Sequence, residues 1–204
     1  MSARDRYHHG DLRNALLVAA KELIRERGTR GFSVAEAARR AGVSISAPYR
    51  HFADRDEMLA AVATAAFTEL NDTFAQLPPA DSLSELAGQI AGEYVKFADA
   101  DHARFQAMFA SGIDKREHDA LLDEATRVQA MLEEALAPHV PSPEITARAA
   151  ELWTLAHGVA SLSISGSLAH ATPEHQHLVI RLARTWAAGV TISQSQPNTA
   201  APSA

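Results

Sequence analysis

Three times in the first ninety residues, a small polar residue is followed three positions later by glutamate at the head of a helical apolar pattern. The stretches are "SVAE" from Ser33, "DRDE" from Asp54 and "SLSE" from Ser82. In such a box the first side chain accepts from the backbone N–H three residues on, and the glutamate reaches back to an N–H at the helix entrance. Each box fixes a helix start. No stretch shows the strict apolar–polar alternation of a half-buried strand. The chain therefore reads as all-α.

Breakers divide it further. The first helix spans about 11–27, with Leu12, Leu16, Ala19, Ala20, Leu23 and Ile24 on one face and Gly28 and Gly31 at its exit. Helices follow from the Ser33 box to about Ala41 and from the Asp54 box to about Leu77, where "PPADS" interrupts. The Ser82 box opens a helix to about Asp99, and others cover about 102–110 and 115–137. Ser142 with Pro143, and Thr172 with Pro173, are cap-and-first-position pairs, where proline loses no hydrogen bond. They open two long helices, about 143–168 and 173–193. The tail 194–204, "QSQPNTAAPSA", is polar and proline-bearing and is expected to be disordered.

The apolar fraction, 47% of 204 residues, suffices for a packed core. There is no cysteine, which removes disulfide scaffolds, thiol nucleophiles and thiolate-bound zinc together. "MSARDRYHHGD" lacks the apolar centre of a signal peptide, and no apolar run is long enough to span a bilayer. A cytoplasmic protein with no membrane partner is expected. The net charge of −6 is unevenly spread: residues 1–60 hold eleven Lys/Arg against eight Asp/Glu, and the rest hold eight against seventeen. A basic head on an acidic body suits a phosphate partner at one end only.

The window Ser33 to Phe52, "SVAEAARRAGVSISAPYRHF", has the spacing of a helix-turn-helix. Small Ala38 sits where two helices must approach, and Gly42 sits at the turn. Val43 and Phe52 are expected to face the core, opposite Val34 and Ala37. Some of these features occur in any helical hairpin. Their coincidence in one window points to DNA binding.

The resemblance is wider than the motif. From "YHHGDLRNALLVAAKELIRERG" through "FSVAEAARRAGVSISAPYRHFADRDEMLAAV", the chain resembles the DNA-binding domain of the TetR family of transcriptional regulators. "YRHF" followed by "DRDE" is the most distinctive part. "LWTLAHGVASL", with Trp153 and His157-Gly158, is similar to the WHG type of C-terminal domain. The resemblance implies an N-terminal three-helix DNA-binding domain over 10–70, with its motif at 33–52. A larger helical ligand-binding and dimerisation bundle over 78–193 follows. It also implies a recognition helix at about Ser44 to His51 lying in the major groove. Ser44, Ser46 and Ala47 then fall where base edges are read. Tyr49, His51 and Arg55 fall where phosphates are touched, and Ser33 offers a phosphate oxygen its hydroxyl and the N–H groups of a helix start. Arg39 and Arg40 add charge or simply face solvent. Arg4 and Arg6 are candidates for a minor-groove arm.

Pro48 sits awkwardly in that helix. With Ser44 as cap it falls at the fourth position, deletes the first intrahelical hydrogen bond and pushes Ala47 away from helical angles. With Ser46 as cap it falls at the second position, where its missing N–H has no partner to lose. Either way the reading helix starts late or distorted, and is very short. The proline also fills part of the apolar site beneath.

Short readers gain affinity by dimerising on a two-fold operator. Small residues cluster in the last two helices, around Ala156 to Gly166 and Ala187 to Gly189, flanked by Leu155, Val159, Leu162, Leu182, Trp186 and Val190. With the resemblance, they form a four-helix homodimer interface; the alternative is a fully internal hairpin. The family implies an effector pocket, for which Phe105, Met108, Phe109, Trp153 and His157 are candidate walls, with Phe67, Phe97 and Met131 nearby. Such a lining suits a hydrophobic small molecule. It could also be plain core.

Enzymatic motifs are missing: there is no phosphate-cradling glycine loop, no GxSxG elbow and no HExxH. No catalytic residue, metal or cofactor is expected. His170, His175 and His177 lack the spacing of a helical metal pair, and His8-His9 is a weak candidate. The expected function is a sequence-specific DNA-binding repressor released from its operator by a hydrophobic small molecule. An effector-independent regulator or an activator is the alternative.

Overall fold

The computed structural model describes residues 9–110, 113–169 and 174–195. The expected arm at Arg4 and Arg6, His8, His170, the Thr172–Pro173 helix opening and most of the tail lie outside those residues. Eight α-helices and no strand occur among the described residues: α1 (His9–Arg27), α2 (Val34–Arg40), α3 (Arg55–Ala75), α4 (Leu83–Ala100), α5 (His102–Met108), α6 (Asp119–Leu136), α7 (Ile145–Ile164) and α8 (His175–Ser195). The all-α reading holds.

The boxes work as local chemistry dictates. The Ser33 hydroxyl accepts from the Glu36 N–H at 3.3 Å, and the Asp54 carboxylate from the Glu57 N–H at 2.8 Å. The Ser82 hydroxyl accepts from the Glu85 N–H at 3.2 Å, while Glu85 reaches back to the Asp81 N–H at 3.1 Å. Glu57 reaches back to the Ala53 N–H in the same way. Glu36 differs, turning to Arg27 instead. At α7, Ser142 does not cap the helix: Ser142–Glu144 form a separate 3₁₀ turn, and α7 begins at Ile145.

Compactness divides the chain into two units. Unit 1 comprises the residues up to Asp72 together with Ala100–Val128; unit 2 comprises Thr73–Asp99 and the residues from Gln129 on. The sequence scheme took 10–70 as the DNA-binding domain, 78–193 as the second domain and 194–204 as a tail; by packing, α5 and the start of α6 go with unit 1. In α5, Ala103 and Ala107 belong to one apolar cluster with Leu16, Ala20, Leu23 and Ile24 of α1 and with Phe32, Val34, Phe52 and Met58. Asp101 fastens this joint. It caps α5 by accepting from the Arg104 N–H, and it receives Lys21 at 3.1 Å and Arg25 at 3.3 Å from α1. Burial alone raises its carboxyl pKa, but the Lys21 hydrogen bond and the two cations outweigh that and hold it below the ordinary value.

Unit 2 is built on small residues. Gly88 and Gly92 let α4 lie close to α8: a Cβ at Gly92 would stand 3.0 Å from Ile180. Ala156, Ala160, Ala183 and Ala187 are fully buried, and α7 packs along α8. Tyr94 is the largest side chain buried there. Its hydroxyl meets His157 Nδ1 at 2.9 Å, and His157 Nε2 meets the Ser161 hydroxyl at 3.2 Å. Burial raises the Tyr94 pKa strongly, so the phenol stays protonated.

Candidate nucleic-acid interface

Helix α2 stops at Gly42, whose φ of +72° is the left-handed conformation that glycine adopts without strain. The Val43 N–H reaches the Ala38 carbonyl at 3.0 Å and the Gly42 N–H reaches Arg39 at 3.2 Å, closing the helix end on itself. The chain leaves at once into a β-turn, Ser44 to Ala47, with the Ala47 N–H donating to the Ser44 carbonyl at 3.0 Å. A single 3₁₀ turn, Pro48–Arg50, follows. Phe52 is buried, and Val43 leans on the same cluster, as expected.

Where an α-helix was expected over Ser44 to His51, the structure has a β-turn joined to a 3₁₀ turn. Neither serine caps it. Ala47 occupies the cap position with φ −62° and ψ −40°, and Pro48 stands first in the turn. Two expectations are corrected together: Ala47 keeps helical angles despite the proline after it, and Pro48 sits one place earlier than either scheme allowed. The cost of that pre-proline conformation is offset by Pro48 itself, which is buried beneath the turn. The Ser44 and Ser46 hydroxyls, free of capping, meet each other at 3.2 Å.

The outward face of this segment is Ser44, Ile45, Ser46, Tyr49 and Arg50, all exposed; Ala47 and His51 are half-buried. Of the expected base readers, Ser44 and Ser46 point to solvent and Ala47 less so. Tyr49 is 56% exposed, open to a phosphate. Arg55 is placed otherwise. Its guanidinium donates to the Thr29 and Phe32 carbonyls, pairs with Asp56 at 2.6 Å and lies 5.0 Å over the Phe32 ring. It fastens α3 to the loop before α2, so its donors are already engaged. Arg40 is likewise committed, bidentate to Glu26 at 2.7 and 2.8 Å. In the motif and its approach, Arg30, Arg39 and Arg50 are exposed and make no ion pair with a described residue, although Arg39 Nε donates to the Ala35 carbonyl. Arg30 and Arg50 were not singled out in the sequence, since nothing in their spacing separates a free arginine from a paired one.

The expected ligand walls form two clusters. In unit 1, Phe105 and Met108 are buried, and Phe109 packs on Phe105 and edge-on to Phe67. The Lys115 ammonium lies 4.5 Å over Phe67, its pKa lowered by burial. In unit 2, Trp153 stacks on His157 with centroids 6.0 Å apart and meets Tyr94 edge-on. Phe105 and Met108 are buried core, while Phe109, Trp153 and His157 are half-buried. An open cleft of about 280 Å³ lies elsewhere in unit 2, lined by Phe74, Leu77, Leu86, Ile90, Met131 and Leu132, with Pro78, Pro79, Ala135, Pro138 and His139 at its sides. Only Met131 of the expected lining is there. The half-buried His139 is the one ionisable side chain in that lining.

The expected dimer residues also divide. Val159 and Val190 are buried within unit 2, so they support the α7–α8 pair and do not face outward. Leu162 and Leu182 are exposed, and Leu155 and Trp186 are half-buried. The Trp186 indole donates to Glu151 at 2.8 Å, which with Arg148 lowers the Glu151 pKa. Ile192, absent from the sequence-based set, is exposed as well. Added Cβ atoms at Gly158 and Gly189 would meet open space.

A capped helix, a glycine-closed turn and an exposed reading segment on a helical core define a helix-turn-helix DNA-binding regulator. The family described as bacterial regulatory proteins, tetR family, matches residues 16–62, and a tetracyclin repressor-like C-terminal domain matches 88–186. Together these span most of the chain, which belongs to the TetR family of transcriptional regulators. Among solved structures it is similar to a protein of unknown function from Rhodococcus sp. RHA1, at 27% identity and TM-score 0.73, covering 91% of this chain and 98% of that one. A transcriptional regulator from Rhodococcus sp. Rha1 matches at 24% and 0.71, covering 87% and 96%. FadR from Bacillus subtilis, in complex with stearoyl-CoA, shares the fold at 12% and 0.68, covering 87% and 98%. No curated protein matches. Among the described residues, no helix is long and apolar enough to cross a membrane.

Proposed function

We propose that this chain is a repressor that binds a two-fold DNA operator as a homodimer and leaves it when a small apolar molecule occupies the unit 2 cleft. DNA contact falls to the exposed turn and its flanks: Ser44, Ser46 and Ala47 toward base edges, Tyr49, His51 and the free arginines toward phosphate, with Ser33 closing the start of α2. Arg55 acts by positioning. Leu155, Leu162, Leu182 and Trp186 supply the outward apolar area of the dimer seam.

The observation that carries effector control is the open apolar cleft with the half-buried His139 imidazole at its side. A sealed bundle would favour the effector-independent alternative. FadR from Bacillus subtilis was solved with stearoyl-CoA, a molecule with a long apolar chain, which supports a hydrophobic ligand here. A cleft of about 280 Å³ suits something smaller, with a single hydrogen-bonding group for His139.

The test starts from an operator recovered by selection from random duplex DNA. Its complex with the protein is titrated with decanoate, decanol and naphthoate while fluorescence anisotropy is followed. Release by at least one probe is expected, and an Ala135→Trp protein, its cleft filled, should stay bound. Equal release from the filled variant would place the effector outside this cleft, and release by none of the probes would return the protein to effector-independent regulation.

A further inference from the structure

We propose that Ile45 reads the 5-methyl group of a thymine in each operator half-site, an assignment that rests on the DNA-binding reading of the turn. The sequence pointed to Ser44, Ser46 and Ala47 as base readers and passed over Ile45. The structure sets Ile45 beside Ser44 and Ser46 on the exposed face. Ile45 and Ser46 are the two corner residues of the β-turn closed by the Ala47 N–H on the Ser44 carbonyl. Ile45 is 56% exposed, as open as Tyr49. The inner side of the segment is occupied by Val43, Pro48 and Phe52, so Ile45 has no apolar surface of its own chain left to cover it.

A single exposed aliphatic side chain is ordinary on a protein surface. This one stands at the tip of a segment with no charged residue between Val43 and Tyr49. Docking into the major groove must strip water from it. The groove offers one apolar group in return, the thymine C5-methyl; beside cytosine the same side chain would bury an amino donor without an acceptor. The flanking hydroxyls of Ser44 and Ser46, which meet at 3.2 Å, are polar and suit base-edge donors and acceptors, so the methyl group falls to Ile45. Isoleucine is also branched at Cβ and stiff at χ1, which fixes its methyl groups at one place instead of sweeping several base pairs.

The experiment removes the methyl group from the DNA and leaves the protein untouched. In the selected operator, each symmetric pair of thymines is replaced by deoxyuridine, one pair at a time, and affinities are measured at constant salt. One pair should weaken binding by about fourfold per half-site, about 15-fold for the dimer, and the other pairs should not. Ile45→Ala should bind the thymine and uracil operators at that pair alike, with an unchanged melting temperature. A flat scan on a tightly bound operator would overturn the Ile45 assignment and leave DNA recognition standing. So would a sensitive pair that remains sensitive in Ile45→Ala. Failure to recover any consensus would overturn the regulator reading and this assignment with it.

Discussion

Arg55 and Asp101 are the residues whose surroundings most change their expected roles. Arg55 matches a phosphate-contacting position, yet its guanidinium serves two backbone carbonyls and an aromatic face. Lysine cannot reproduce that planar, forked arrangement. Arg55→Lys should therefore lower the stability of the free protein by about 2 kcal/mol, read by thermal denaturation without DNA. If Arg55 were instead a solvent-facing phosphate contact, the melt would be unchanged and the salt slope of DNA binding kept, because lysine retains the charge. Asp101 titrates below its ordinary value because the Lys21 hydrogen bond, the Arg104 N–H and the charges of Lys21 and Arg25 together outweigh its burial. A depressed carboxyl adds stability that is complete above the unfolded pKa and is lost as pH falls through the folded value. Asp101→Asn keeps a capping oxygen but loses the ion pairs. It should melt below wild type at neutral pH, with the gap closing in acid; no gap at neutral pH would mean that the cap alone matters.

At the level of elements, local signals were legible and tertiary ones were not. The Ser33, Asp54 and Ser82 caps lie where the spacing put them, because a cap needs only its own helix start. The allegiance of α5 to α1 was hidden: nothing in "HARFQAM" says which neighbour buries Ala103 and Ala107. The reading segment fell between the two cases. Pro48 announced a short and distorted helix, but a β-turn followed by a 3₁₀ turn depends on how well proline fills the space beneath, which is a packing fact. The α7–α8 pair shows the same split. Its small residues were visible, but which of them turn inward was not, and Val159 and Val190 proved to be core. The outward set makes its own prediction. Leu182 is 40% exposed, so Leu182→Arg should leave the monomer fold intact, seen by an unchanged circular dichroism spectrum. A buried charge at the seam should shift sedimentation equilibrium toward monomer. A variant that stays dimeric would move the interface off this face.

For the whole molecule, the proposed function requires a ligand in the unit 2 cleft to act on the turn in unit 1. Two helices belong to both. Helix α3 begins at Arg55, whose side chain holds the loop before α2, and reaches Phe74 in the cleft lining; α6 carries Leu121 in unit 1 and Met131 and Leu132 in the cleft. A ligand that prefers one placement of Phe74 and Met131 biases helices on which unit 1 also depends, and it can shift the equilibrium only by its differential affinity for the two states. Such coupling is reciprocal. If the ligand weakens operator binding by some factor between about 5 and 150, saturating operator must weaken ligand binding by the same factor. The probe that releases DNA should therefore be titrated calorimetrically into the free protein and into the operator complex. Equal factors from the two directions would establish linkage through the protein. A ligand whose affinity ignores the operator would instead be displacing DNA by another route, and α3 and α6 would no longer be the connection to test.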